Sequence, residues 1–189
     1  MNDPMTILKA DHREVKRFLT ELAESEEGPE RERLAAEVQK ALTVHMDLEE
    51  RLVYPLVERE VGEEDAEEAN IEHRLARDGL ATMMSMVDQP GFGAAVEMLK
   101  GGIEHHVHDE ESEILPELKD KLARTEWLAL GDAIAQGKAD AGVPVPTTRK
   151  PTKRSAKRRG MGLADFPFTG KDLRSHRART EDVHQVDWP

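Results

Sequence analysis

No cysteine occurs anywhere in this chain. Disulfides, thiolate metal sites and thiol nucleophiles are therefore excluded, and nothing argues for an oxidising compartment. Aromatic residues make up only 4 %, which leaves little for a β-sheet to pack with. No apolar run approaches the ~20 residues needed to span a bilayer. The start, Met1-Asn-Asp-Pro-Met5, lacks the basic residues and apolar stretch of a secretory signal. The expectation is a soluble, cytoplasmic protein.

What the chain does have is Ala, Glu, Leu, Arg and Met, the composition of helices. Its net charge of −12 is unevenly spread. From Val143 onward there are 11 Lys and Arg against 5 Asp and Glu, while the first 142 residues hold 16 against 34. An acidic body with a basic tail reads as two objects. We expect a domain over 1–142 and a disordered tail over 143–189, basic first and mixed after. Within the tail, Lys150 to Arg159 could bind nucleic acid or an acidic surface; a solvated charged tail is the plainer reading.

Hydrophobic periodicity predicts four amphipathic helices. Asp3-Pro4 starts the first, and Met5, Leu8, His12, Val15, Leu19 and Leu22 form its stripe. The second runs from about Glu30 to about Arg59, with Leu34, Val38, Ala41, His45, Leu48, Leu52 and Leu56 inward and a kink at Pro55. The third starts near Glu63 and places His73 between Ala69 and Ala76 on its stripe. The fourth carries Val96, Leu99, Ile103, His106, Glu110, Ile114 and Leu118. Short turns between four such helices imply an all-α, up-down-up-down four-helix bundle. Trp127, Leu130 and Ile134 add a short fifth helix over one end.

One stretch occurs twice. His45-x3-Glu49-x5-Pro55 recurs as His106-x3-Glu110-x5-Pro116, and the offset is 61 residues throughout. His12 and His73 keep the same step. On a helix, positions i and i+4 share a face, so His45 and Glu49 point together, as do His106 and Glu110. All four histidines replace an apolar residue of an inward stripe. A lone inward histidine is more often a satisfied hydrogen-bonding group than a ligand, and a lone H-x3-E is an ordinary surface pair. The repeat and the phase together favour metal. Bare carboxylates in a core are costly, and cations offset that cost. Imidazole and carboxylate without sulfur suit Fe, Mn or Zn. Six ligands in a two-fold repeat suit a dinuclear site, bridged by Glu49 and Glu110, with open positions for an oxo group, water or a small ligand. Open positions favour redox iron over structural zinc. His105 lies one step, about 100°, off the stripe, and reads as flanking the site or in contact with a ligand. Tyr54 sits about 140° from Glu49 on a straight helix, and reads as core or outer contact.

The chain resembles the hemerythrin-like HHE cation-binding family. The resemblance covers about residues 3–125 and rests on Asp3-Pro4, Lys9-Ala-Asp-His12-Arg-Glu, His45-x3-Glu49 with Tyr54-Pro55, Glu72-His73, and Glu104-His-His106-x3-Glu110 with Leu115-Pro116. It implies a non-haem di-iron centre on His12, His45, Glu49, His73, His106 and Glu110. It also implies binding of oxygen, or reaction with peroxide or nitric oxide under redox or nitrosative stress, with catalase-like or nitric oxide-consuming turnover within its range. The alternative it allows is an iron- or oxygen-sensing or iron-storage module without turnover. Oxygen carriers of the family have a further histidine where this chain has Arg77, which argues against simple reversible oxygen carriage. Oligomeric state is not legible.

Overall fold

The computed structural model describes residues 2–145. The predicted tail, with its nucleic-acid proposal, lies outside the described residues from Pro146 onward. Among the described residues no helix is long and apolar enough to cross a membrane.

The described chain is all helix. Four rods carry the bundle. The first is α1 (Pro4–Ala23). The second joins α2 (Pro29–Leu48), a π-helical turn (Glu49–Val53) and α3 (Tyr54–Glu60). The third is α4 (Glu63–Ser85). The fourth joins α5 (Phe92–Asp109), a second π-helical turn (Glu110–Ile114) and α6 (Leu115–Lys121). The fifth helix, α7 (Arg124–Asp140), has 17 residues and is not short. It packs along α1 and α2 as well as over the end of the bundle. Glycines permit that approach: a β-carbon at Gly131 would collide with the start of α1, and one at Gly137 with Leu48.

Asp3 is the N-cap residue of α1, but its carboxylate caps no backbone N–H. It accepts instead from the Thr6 hydroxyl at 3.1 Å and the Trp127 indole N–H at 2.9 Å. The residue that starts the first helix thus also ties down the last.

The first of the two π turns corrects the expected register, whereas on the fourth rod Ile114 and Leu118 are buried as expected. Pro55 and Pro116 are each the second residue of the α-segment that follows a π turn, and a proline has no N–H to give an α-helical ladder. The wide turn takes up one extra residue there instead of breaking the rod. Beyond it the buried residues are Val53, Tyr54 and Val57, while the expected Leu52 and Leu56 are only partly buried. Glu49 and Glu110 are the first residues of their π turns.

The core is in two parts. One cluster gathers Val15, Leu19, Leu22, Leu42, Met46, Leu80, Met83, Val96, Leu99 and Ile103. The other gathers Ile7, Leu8, Leu48, Val53, Tyr54, Val57, Leu115 and Leu118 with Trp127, Leu130 and Ile134 of α7. On each rod the histidine falls between the residues of one cluster and those of the other. A polar layer therefore divides an otherwise apolar interior.

Candidate metal centre

All six sequence-selected residues lie in that layer. His12, His45, His73 and His106 are 1–5 % exposed, and Glu49 and Glu110 are fully buried. Each imidazole directs Nε2 inward. His45 Nε2 is 3.0 Å from Glu49 Oε2, and His73 Nε2 is 3.4 Å from the same oxygen. Glu110 Oε2 lies 3.4 Å from His12 Nε2 and 3.5 Å from His106 Nε2. Nε2 of His73 and of His106 are 3.1 Å apart. The donor atoms fall into two groups. One is His12, His45, Glu49 and Glu110; the other is Glu49, His73 and His106.

These contacts leave polar atoms unsatisfied. His12 Nε2, both oxygens of Glu49 and Glu110 Oε2 are buried without a hydrogen-bond partner. Orphaned buried acceptors are costly in a folded protein. Lone pairs of imidazole and carboxylate converging on two points are the donor set of divalent transition metals, so the residues fit a metal centre.

The outer nitrogens explain the inward aim. His12 Nδ1 donates to Glu111 at 2.8 Å, His73 Nδ1 to Glu50 at 3.0 Å, and His106 Nδ1 to Glu72 at 2.9 Å. A carboxylate that holds the Nδ1 proton leaves the Nε2 lone pair free for a cation. Glu50 and Glu111 are themselves 61 residues apart. Sequence reasoning missed all three carboxylates, although the doubled Glu-Glu at 49–50 and 110–111 was a visible signal. Arg77 points away from the centre: its guanidinium pairs with Glu50 and with Asp47, at 2.5 and 2.9 Å. His105 is 66 % exposed and reaches Glu72 at 3.5 Å and Asp109 at 3.4 Å.

Tyr54 is buried in contact with two of the six site residues, nearer the centre than straight-helix geometry puts it. Its hydroxyl lies 2.8 Å from His73 Nε2 and donates to Glu110 Oε1 at 3.1 Å. With about 4.4 residues per turn across the π segment, Tyr54 comes to about 50° from Glu49 in place of 140°.

Burial and charge tune the cluster. Burial pulls the His12 pKa down, but its contacts with Glu110 and Glu49 outweigh that and raise it to about 10. His106 likewise rises against burial to about 9, through Glu110 and Glu72. His45 falls to about 3, chiefly by burial. Glu49 is held well below the usual carboxylate range by His45, His12 and His73, against the opposing effect of its burial. The Tyr54 phenol is pushed up by burial and by the charges of Glu110 and Glu49.

A small cavity adjoins the centre, with about 10 Å³ open to the centre of a water molecule. Its walls are the four histidines with Val15, Leu42, Met46, Ile103 and Val107.

Comparison with known proteins agrees with this arrangement. The Hemerythrin HHE cation binding domain matches residues 3–118. A DNA nickase of Nostoc sp. is 27 % identical over 118 residues, which is 62 % of this chain and 34 % of that protein. An uncharacterized hemerythrin-like protein of Schizosaccharomyces pombe is 32 % identical over 101 residues, 51 % of this chain and 50 % of that one. The chain thus spans between a third and a half of these relatives. A crystal structure of a hemerythrin HHE cation-binding domain-containing protein from Mycobacterium kansasii superposes with a TM-score of 0.67. The two are 24 % identical, over 75 % of this chain and 89 % of that one.

Proposed function

The chain belongs to the hemerythrin HHE cation-binding domain family, and on that premise we propose that it is a non-haem di-iron protein that binds and consumes a small oxidant: peroxide, nitric oxide or oxygen. The observation that carries this reading is the cavity. Apart from the four imidazoles its walls are Val, Leu, Met and Ile. At about 10 Å³ it admits something the size of a water or a diatomic molecule and excludes an organic substrate. Apolar walls favour an uncharged guest over an ion.

His73 and His106 would hold one iron and His12 and His45 the other, and Glu49 and Glu110 each lie within 3.5 Å of one imidazole of either pair and could serve both. Iron bound there supplies one-electron redox chemistry and open coordination positions. The remaining tasks fall to the chain. Glu111, Glu50 and Glu72 hold the Nδ1 protons and fix the ring orientations. The two apolar clusters exclude bulk water. Tyr54 places an O–H on Glu110 and against His73. Arg77 turns outward to Glu50, so no fifth imidazole fills a coordination position from α4. That supports consumption over reversible carriage.

The test is anaerobic reconstitution with Fe(II), elemental analysis, and electrode assays of peroxide and nitric oxide. Close to two irons per chain with consumption of either substrate is the expected result. Two irons with no consumption of either would move the reading to sensing or storage. No iron retained would overturn it.

A further inference from the structure

The repeat that builds the centre is broken at one point. Under the 61-residue step, His12 corresponds to His73, His45 to His106, Glu50 to Glu111, and Asp11 to Glu72. His73 on Glu50 and His12 on Glu111 are images of each other. His106 on Glu72 should have an image in His45 on Asp11, and that pairing is absent. Asp11 accepts from the ammonium of Lys138 at 2.5 Å, with both side chains buried. His45 is 5 % exposed, and its Nδ1 has no hydrogen-bond partner among the described residues. Lys138 belongs to α7, which lies outside both copies of the repeat.

This asymmetry has a chemical consequence. A histidine that gives Nε2 to a cation carries its proton on Nδ1. A carboxylate that accepts this proton makes the imidazole a stronger ligand and fixes the ring. Both imidazoles beside one cation position have such a carboxylate. Beside the other, only His12 does. Tyr54 is a second break in the repeat: its hydroxyl meets His73 and Glu110, and the residue 61 positions on is Leu115, which has no polar side-chain atom.

We propose that the two cation positions are unequal and that α7 makes them so. The position at His73 and His106 fills first and holds its metal tightly. The position at His12 and His45 fills second and exchanges, because Lys138 has taken the carboxylate that would have braced His45. A form with a single metal therefore exists over a range of iron concentration. This rests on the dinuclear reading above.

The test uses the full chain and Fe(II) under anaerobic conditions, with calorimetric titration and chelator competition. His45→Ala should keep one Fe(II) whose dissociation constant is at least tenfold lower than that of the one kept by His106→Ala, the scale of a lost outer carboxylate. Equal residual affinities, or the reverse order, would overturn the proposal. Lys138→Met frees Asp11 and should tighten the second Fe(II) without moving the first, with helix content checked by circular dichroism. A folded Lys138→Met protein with an unchanged second affinity would overturn the role given to α7. Wild-type protein that binds no Fe(II) would sink the dinuclear reading itself, a result distinct from two equivalent sites.

Discussion

The hydroxyl of Tyr54 lies 2.8 Å from Nε2 of His73, on a different rod of the bundle. It meets the centre only because a π turn, Glu49–Val53, precedes it. Tyr54 is the only tyrosine in the chain, so its spectroscopic contribution is unambiguous. Burial and the charges of Glu110 and Glu49 keep its phenol protonated, so ferric-loaded protein should show no visible phenolate-to-iron absorption band. A band that Tyr54→Phe abolishes would put the phenol in the coordination shell.

The three outer carboxylates should behave as a set. Glu50→Gln, Glu72→Gln and Glu111→Gln each weaken the acceptor on one Nδ1 proton, and each should cost about 10- to 100-fold in Fe(II) affinity. Unfolding of the metal-free variants should change little, because these side chains are partly exposed. Chelator competition measures the first effect and thermal melting the second. Wild-type affinity in all three variants would show that the outer shell is only structural.

Stability of the metal-free protein should peak near pH 6.5. His12 and His106 titrate at about 10 and about 9 in the fold, above the ordinary histidine value of about 6.5. Their contribution is complete below about 6.5 and is lost as pH rises through 9 and 10. His45 has the opposite sign. Its pKa of about 3 means that the unfolded chain takes up a proton between about 6.5 and 3 that the fold refuses. Stability therefore also falls on the acid side. Melting temperatures from pH 4 to 10 should pass through a maximum; a steady rise to pH 10 would contradict the assignments. Metal must displace the protons on His12 and His106, so Fe(II) affinity should rise with pH above 7.

Leu42 lines the cavity and is 1 % exposed. Leu42→Ala should cost about 2–5 kcal/mol of stability and enlarge the space beside the histidines. Azide, as a triatomic probe, should then bind the loaded protein more tightly or faster than in wild type. Unchanged azide binding, measured spectrophotometrically, would place ligand entry elsewhere.

Much of this protein could be read from its sequence. The spacing of apolar residues by threes and fours determined four amphipathic rods, since helix phase is a local property. The 61-residue repeat placed four histidines and two glutamates inside one bundle, because i and i+4 share a face whatever the partner helix. Tertiary structure decided the rest. The π turn at Glu49–Val53 moved the buried face from Leu52 and Leu56 to Val53, Tyr54 and Val57, and a constant 3.6-residue step cannot show where a helix widens. The outer carboxylates Glu50, Glu72 and Glu111 act across helices. The Lys138–Asp11 pair joins residues 127 apart. Periodicity tells which way a side chain faces along its own helix, but only packing selects which neighbour it meets. Here packing gave one carboxylate of a symmetric set to a lysine instead of a histidine.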